Sequence, residues 1–90
     1  MQIRFGGAHI DEDYDHIDAV YVTAISQSGV FKQADYDEAI KIALSQMSSH
    51  ASTIGANALI NVTVRPELAL FDRGVNQAII IGTGDAVKFK

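Results

Sequence analysis

The sequence predicts a small α+β domain in which an antiparallel sheet packs on one amphipathic helix, in the order β-α-β-β. Three observations lead to this prediction. Residues 16–26 are apolar and β-branched, residues 36–54 carry apolar side chains at helical spacing, and similar strand-like segments follow at 58–65 and 75–83. Ninety residues are expected to form one domain, 1–90, because a chain this short supports a single hydrophobic core.

The N-terminal part of the chain is predicted to contribute two strands. Residues 2–5 alternate weakly and should form a short edge strand, which Gly6 and Gly7 end by freeing the backbone. The stronger strand is HIDAVYVTAIS, residues 16–26, which is rich in β-branched and aromatic side chains. Both of its faces are largely apolar, so we expect a helix on one face and a neighbouring subunit on the other.

The helix is predicted to span residues 36–54, with Asp35 as its N-cap and Gly55 as the residue that ends it. Apolar side chains recur every three or four residues and should face the sheet. This stripe comprises Tyr36, Ile40, Ala43, Met47, His50 and Ile54, flanked by Ala39, Leu44 and Ala51. Ile42 projects roughly 120° from the stripe by helix geometry, so it is either an exposed residue or a contact to a partner.

The next strand is predicted at residues 58–65, after a turn that contains Gly55, Ala56 and Asn57. Pro66 should close this strand, because proline lacks the N–H that a sheet ladder needs. Alternation places four apolar side chains on one face: Ala58, Ile60, Val62 and Val64.

The last strand is predicted at residues 75–83 and resumes as AVKF after a bulge at Gly82 and Gly84. Residues 66–74 form the hairpin connection before it. Three residues of this connection are large and apolar: Leu68, Leu70 and Phe71. A solvated loop would be polar here, so we expect these side chains to be covered.

Composition and charge argue against several classes of function. The net charge is −4 and the seven basic residues are dispersed, so neither nucleic acid nor an anionic membrane is an expected partner. The longest apolar run, residues 78–81, is too short to cross a bilayer, and we expect a cytoplasmic protein. Cysteine is absent, which removes disulfides, thiolate zinc sites and cysteine nucleophiles. The chain is 48% apolar, has no disulfide and is too short to bury all of its apolar surface, so we expect it to self-associate.

Two motifs in the second half of the chain resemble the YbjQ family of proposed heavy-metal-binding proteins. They are IGANALINV at residues 54–62, where a helix ends, and GTGDAVKF near the C-terminus. The matching positions are Gly55, Ala56, Asn57 and Ala58 in the first motif and Gly82, Thr83, Ala86 and Val87 in the second, with Gly84 and Asp85 inserted. The resemblance covers residues 35–90. It implies a dodecin-like subunit that assembles with copies of itself into a ring, typically a pentamer, and it implies no ligand set.

The stretch HIDEDYDHID, residues 9–18, concentrates possible metal ligands. Asp11, Asp13 and Asp15 match the first positions of an EF-hand loop. His16 stands where that loop needs glycine and the chain continues as a strand, so we reject an EF-hand. A looser site for zinc, nickel or copper could combine imidazole and carboxylate ligands. Its candidates are His9, Asp13, His16 and Asp18. The alternative is a solvated acidic loop that guards a sheet edge.

Two further residues are candidates for ligand binding or for a subunit interface. His50 lies on the predicted apolar stripe, where it is a packed residue or, in a ring, one of several histidines that converge, change protonation or bind metal. Tyr21 could stack on a flat ligand at a subunit interface, with simple packing as the alternative. The remaining interface candidates are Ile42, Leu70 and Phe71.

No catalytic group is recognisable in the sequence. The helix serines lack a neighbouring base, and IGTGDA lacks the third glycine of a dinucleotide fingerprint. The predicted function is therefore a non-enzymatic, homo-oligomeric scaffold or binding module for an unknown small ligand, without a cofactor. The alternatives are a divalent metal-binding protein and an enzyme with a site at a subunit interface, around His50 and Tyr21.

Overall fold

A computed structural model describes residues 1–28, 36–67 and 76–90. Its elements, in chain order, are β1 Gln2–Ile3, β2 Tyr14–Ser28, α1 Tyr36–Thr53, β3 Ala58–Glu67 and β4 Asn76–Phe89. The strands form one sheet in the order β1-β3-β4-β2, with α1 packed on one face. The predicted small α+β fold is confirmed. The sheet is mixed instead of wholly antiparallel, because β1 runs parallel to β3 while β4 runs antiparallel to both neighbours.

The two outer strands of the sheet differ in length. β1 is the predicted short edge strand, although it pairs over only two residues. β2 is the other edge and begins at Tyr14, two residues before the predicted start, so the end of the acidic stretch is a strand. The predicted N-cap Asp35 and the apolar residues of the hairpin connection, Leu68, Leu70 and Phe71, lie outside the described residues. No helix in the described ranges is long and apolar enough to cross a membrane.

The helix packs on the sheet through a line of small and flexible side chains. Its buried residues are Ala39, Ala43, Met47 and Ala51. Tyr36 and His50 are exposed, so their predicted places on the buried stripe are wrong. Neighbouring helix residues point about 100° apart, and when Ala51 faces the sheet His50 lies beside the buried line. Gly55, with φ 91°, follows the helix as predicted.

Ile42 is half-buried, so it is not the exposed residue that was one of its two predicted alternatives; a contact to a partner stays a prediction. Ile42 packs against a cluster that contains Ala24 of β2 and Ile80 of β4. Because the alanines on α1 let the helix approach the sheet closely, isoleucines on both sides of that line reach the strands.

β3 does not keep one apolar face, because it contains a bulge. Its ladder with β4 shifts after Ile60, and Asn61 has φ 53°. An extra residue in one strand moves the following side chains to the other face. Ala58 and Ile60 therefore pack with Val87 on the face away from α1, whereas Val62 joins the core beneath the helix.

Pro66 does not close β3, since the strand continues to Glu67. The outer side of β3 is paired with β1 only at Ala58 and Leu59 in the described part of the chain. Proline is tolerated on such an edge because its missing N–H interrupts no ladder.

β4 runs through Gly82 and Gly84 without a register shift of its own, so the predicted bulge there is wrong. The shifts lie in the neighbouring strands instead. A Cβ on Gly82 would lie 2.8 Å from Met47 Sδ, and a Cβ on Gly84 would lie 3.2 Å from Met47 Cε. The two glycines thus let the Met47 side chain rest directly on β4.

Candidate functional site

The face of the sheet away from α1, here called the open face, carries exposed apolar side chains on β2. Tyr21 is 66% exposed and Ile25 is 48% exposed, whereas Val20 and Ala24, on the opposite face of the strand, are buried under α1. The predicted two-sided strand is confirmed in this respect: a helix covers one side. Within a single chain, no described element covers the other side at Tyr21 and Ile25.

The N-terminal segment covers one end of the open face. Arg4 N–H donates to the Leu59 carbonyl at 2.8 Å, and Asn61 N–H donates to the Gly6 carbonyl at 2.9 Å. Ala8 packs against the cluster around Val87. The apolar side chains at this end are therefore shielded by the chain itself.

An ion pair between Arg4 and Glu12 links the two ends of the N-terminal segment beside the last residues of β4. Arg4 donates through both terminal nitrogens to the Glu12 carboxylate, with Nη2 to Oε2 at 2.8 Å. The guanidinium also lies over the Phe89 ring, 4.8 Å from its centroid. The hydrogen bond from Arg4, assisted by the His9 backbone N–H, lowers the pKa of Glu12 from its ordinary 4.5 to about 2. Glu12 is thus engaged by Arg4 instead of being free for a metal.

We expect this ion pair to make stability depend on pH. A carboxyl whose pKa falls on folding stabilises the protein fully above its unfolded pKa, and the effect is lost as pH falls from about 4.5 through about 2. Glu12→Gln should therefore lower the melting temperature at pH 6 and flatten its decline between pH 5 and pH 2. Thermal unfolding followed by circular dichroism measures both. Asp11→Asn, on the exposed part of the same turn, is the control; parallel profiles for Glu12→Gln and the unaltered chain contradict the prediction.

A hydrogen-bonded cluster lies on the open face beside the covered end. It consists of His16 from β2, Asp85 from β4 and Asn61 from β3, here called the His16 cluster. His16 Nε2 lies 3.1 Å from Asp85 Oδ1, and Asn61 Nδ2 donates to Asp85 Oδ2 at 3.1 Å. Each oxygen of the carboxylate therefore has a partner on a different neighbouring strand.

Two bulges create the His16 cluster. In a regular β2, His16 would share a face with Val20, which lies under the helix. The register shift between His16 and Asp18 turns His16 to the open face, where Asp85 lies. The bulge in β3 does the same for Asn61, which regular alternation would place with Leu59 on the helix side. Both irregularities thus direct polar groups to one carboxylate.

Residues 13–90 match the YbjQ family model, described as "Putative heavy-metal-binding". The chain belongs to the YbjQ family. The match begins at residue 13, so it includes β2 and extends further towards the N-terminus than the predicted resemblance over 35–90.

A solved structure has the same architecture. The crystal structure of a protein of unknown function of the DUF74 family from Pediococcus pentosaceus superposes with a TM-score of 0.84. The two sequences are 17% identical, and the match covers 100% of this chain and 98% of that chain. At this identity the likeness shows the fold alone. No curated protein matches the sequence.

The metal ligands predicted for this YbjQ-family chain do not converge. His9 lies 3.9 Å from Glu12, which is bound to Arg4. Asp18 accepts a hydrogen bond from the backbone next to it, and Asp13 is exposed. Across the described ranges, no group of three His, Cys, Asp or Glu could hold a metal ion. Only His16 joins a cluster, and its partner is Asp85.

Sequence reasoning missed Asp85 and Asn61 as members of this site. The available signals were an acidic residue inserted in the final strand and an asparagine within an otherwise apolar one. The two residues predicted for an enzymatic site at a subunit interface lie on different sides of the sheet within one chain, and that site stays a prediction. Tyr21 lies on the open face and His50 on α1, on the other side of the sheet.

The donors of this YbjQ-family chain fit only some metals. Soft heavy metals prefer thiolate and thioether ligands. The chain contains no cysteine and two methionines, of which Met47 is fully buried. Imidazole and carboxylate, which the His16 cluster offers, suit zinc, nickel and copper(II). The His16 cluster therefore fits a metal of this borderline class and not a soft one.

Proposed function

We propose that this chain is a self-associating, non-enzymatic binding module whose copies meet along β2 and the open face beside it. The observation that carries the proposal is the exposure of Tyr21 and Ile25 on that face. Fully burying an exposed apolar side chain of this size is worth about 1.5–3 kcal/mol, of which about half remains to be gained at Ile25 and about two thirds at Tyr21. Another copy of the same chain is a partner that is always available to cover them.

The sheet edges also support assembly into a ring. β2 forms one border of the sheet, and the part of β3 after Val62 forms the other, since the N-terminal segment bonds to β3 as far as that residue. Neither border has a strand partner among the described residues. A ring, such as the pentamer that the family resemblance implies, requires different surfaces of neighbouring copies to meet, and two unlike borders provide them.

A charge placed on the open face should break this self-association. We expect the unaltered chain to have a mass several times 9.7 kDa at micromolar concentration, and Ile25→Lys to weaken association at least tenfold. The reason is that a buried lysine loses its hydration without gaining a partner. Sedimentation velocity or light scattering after size exclusion measures the mass.

Ile10→Lys is the matched control, because Ile10 is fully exposed in the turn of the N-terminal segment and is not part of β2. It should assemble like the unaltered chain. Circular dichroism verifies that both variants fold. An unaltered chain that stays at 9.7 kDa, or equal masses for all three proteins, contradicts the proposal.

Binding of a divalent transition metal is a second candidate function. The observation that favours it is the His16 imidazole, which is half-exposed and held by a carboxylate on its neighbouring strand. The family's description agrees with this function. The metal would be zinc, nickel or copper(II), according to the donors present.

A further inference from the structure

We infer that His16 is the metal ligand of this chain, that Asp85 and Asn61 position its ring, and that one ion is shared by at least two copies. This inference rests on the second candidate function, metal binding, and specifies its site. The ligand class is a divalent ion of zinc, nickel or copper.

The contact between His16 and Asp85 determines which ring nitrogen is available. An ionised carboxylate only accepts hydrogen bonds, so the proton lies on Nε2, 3.1 Å from Asp85 Oδ1. The lone pair of Nδ1 then remains for an ion. A histidine that binds metal commonly donates its other ring N–H to a carboxylate, which orients the ring and increases its basicity. The His16 side chain is 52% exposed, so an ion can reach it from solvent.

Asn61 holds the carboxylate in place. Its Nδ2 donates to Asp85 Oδ2 at 3.1 Å, so both oxygens of Asp85 are engaged by protein groups. Asn61 adopts φ 53°, in the left-handed region that asparagine enters more readily than most residues other than glycine. The bulge that contains Asn61 and the bulge in β2 both direct side chains to this one carboxylate.

The number of ligands requires a second copy. Zinc sites use three or four protein ligands. The described residues of one chain contain no group of three His, Cys, Asp or Glu in reach of one another. His16 and Tyr21 lie five residues apart along β2, so copies that meet over Tyr21 bring further ligands towards His16. From the described residues, a tight site is thus completed only between copies.

The other two histidines provide matched controls. His9 is largely exposed on the N-terminal turn, and His50 is exposed on α1. Each variant His9→Ala and His50→Ala removes one imidazole, as His16→Ala does, but leaves the His16 cluster intact. They therefore separate a specific site from general binding by histidine.

The experiment titrates the 90-residue chain with zinc, nickel and copper(II) chlorides by isothermal calorimetry and measures its mass with and without metal. We expect saturable binding with at most one ion per two chains. His16→Ala should abolish binding, and Asp85→Asn and Asn61→Gly should weaken it about 10–100-fold. His9→Ala and His50→Ala should bind like the unaltered chain. In spectra of isotope-labelled histidine, zinc should shift the Nδ1 signal of His16 alone.

The possible outcomes distinguish failure of the inferred His16 site from failure of metal binding as a function. Binding that His16→Ala leaves unchanged, or that saturates at one ion per chain, overturns the inference but leaves metal binding in place. Flat titrations with all three metals overturn both. Asn61→Gly retains a residue that accepts a positive φ, so a loss of affinity with an unchanged melting temperature reflects the lost amide and not misfolding.

Discussion

Replacing Met47 with alanine should lower the free energy of unfolding by about 2–5 kcal/mol. Met47 is fully buried and packs with Leu59 and Val62 in the main core cluster. Its thioether lies over Gly82 and Gly84, which have no side chains to fill the space that alanine would leave. The cavity should therefore persist, and the cost should approach the upper part of this range.

Denaturant unfolding at one fixed protein concentration measures this effect, because self-association would add to the apparent stability. Gln46→Ala is the control: Gln46 precedes Met47 on α1 and is exposed, so its loss should cost less than about 0.5 kcal/mol. A Met47→Ala protein as stable as the Gln46→Ala protein would show that α1 does not depend on Met47 for its packing on the sheet.

Gly82→Ala should lower the free energy of unfolding by about 1–3 kcal/mol, because the added methyl overpacks the interface between helix and sheet. Its Cβ would lie 2.8 Å from Met47 Sδ and 3.1 Å from Val22 Cγ2. Gly6→Ala is the matched control, since a Cβ there meets nothing within 4 Å. Denaturant unfolding of both variants compares the two positions directly.

The contact with Met47 can be isolated by a double-mutant cycle. Met47→Ala removes the nearest atom, so Gly82→Ala should cost at least about 0.5 kcal/mol less in that background than in the unaltered chain. Equal costs in the two backgrounds would contradict the packing of Met47 on β4. Equal costs would instead indicate that the added methyl group is hindered mainly by Val22.

Helical periodicity predicted most of the buried line on α1, because a helix repeats its orientation regularly and packing did not disturb it. The two errors in the predicted stripe, Tyr36 and His50, lie at its end and at its margin, where spacing alone does not decide whether a side chain faces the sheet or water. The two-sided character of β2 could also be predicted, since strict alternation holds from Asp18 onwards.

The faces of β3 and the His16 cluster could not be predicted, because both depend on bulges. A prediction by alternation assumes that successive side chains always point to opposite faces of the sheet. The bulge at Asn61 interrupts this alternation after Ile60. His16 and Asp85 are 69 positions apart and lie side by side only because of the shift in β2. No local pattern links residues at that distance. The metal site was therefore predicted from carboxylates that are neighbours in the acidic stretch, and the fold does not bring these together.

Pro66 gives the two borders of this sheet different chemistry. Alternate N–H groups of β2 point to its free border and none of its fifteen residues is a proline, whereas β3 lacks the N–H of Pro66. An incoming strand can therefore distinguish one border from the other. Copies joined border to border would consequently form an array with a direction, in which each subunit presents a head to one neighbour and a tail to the next.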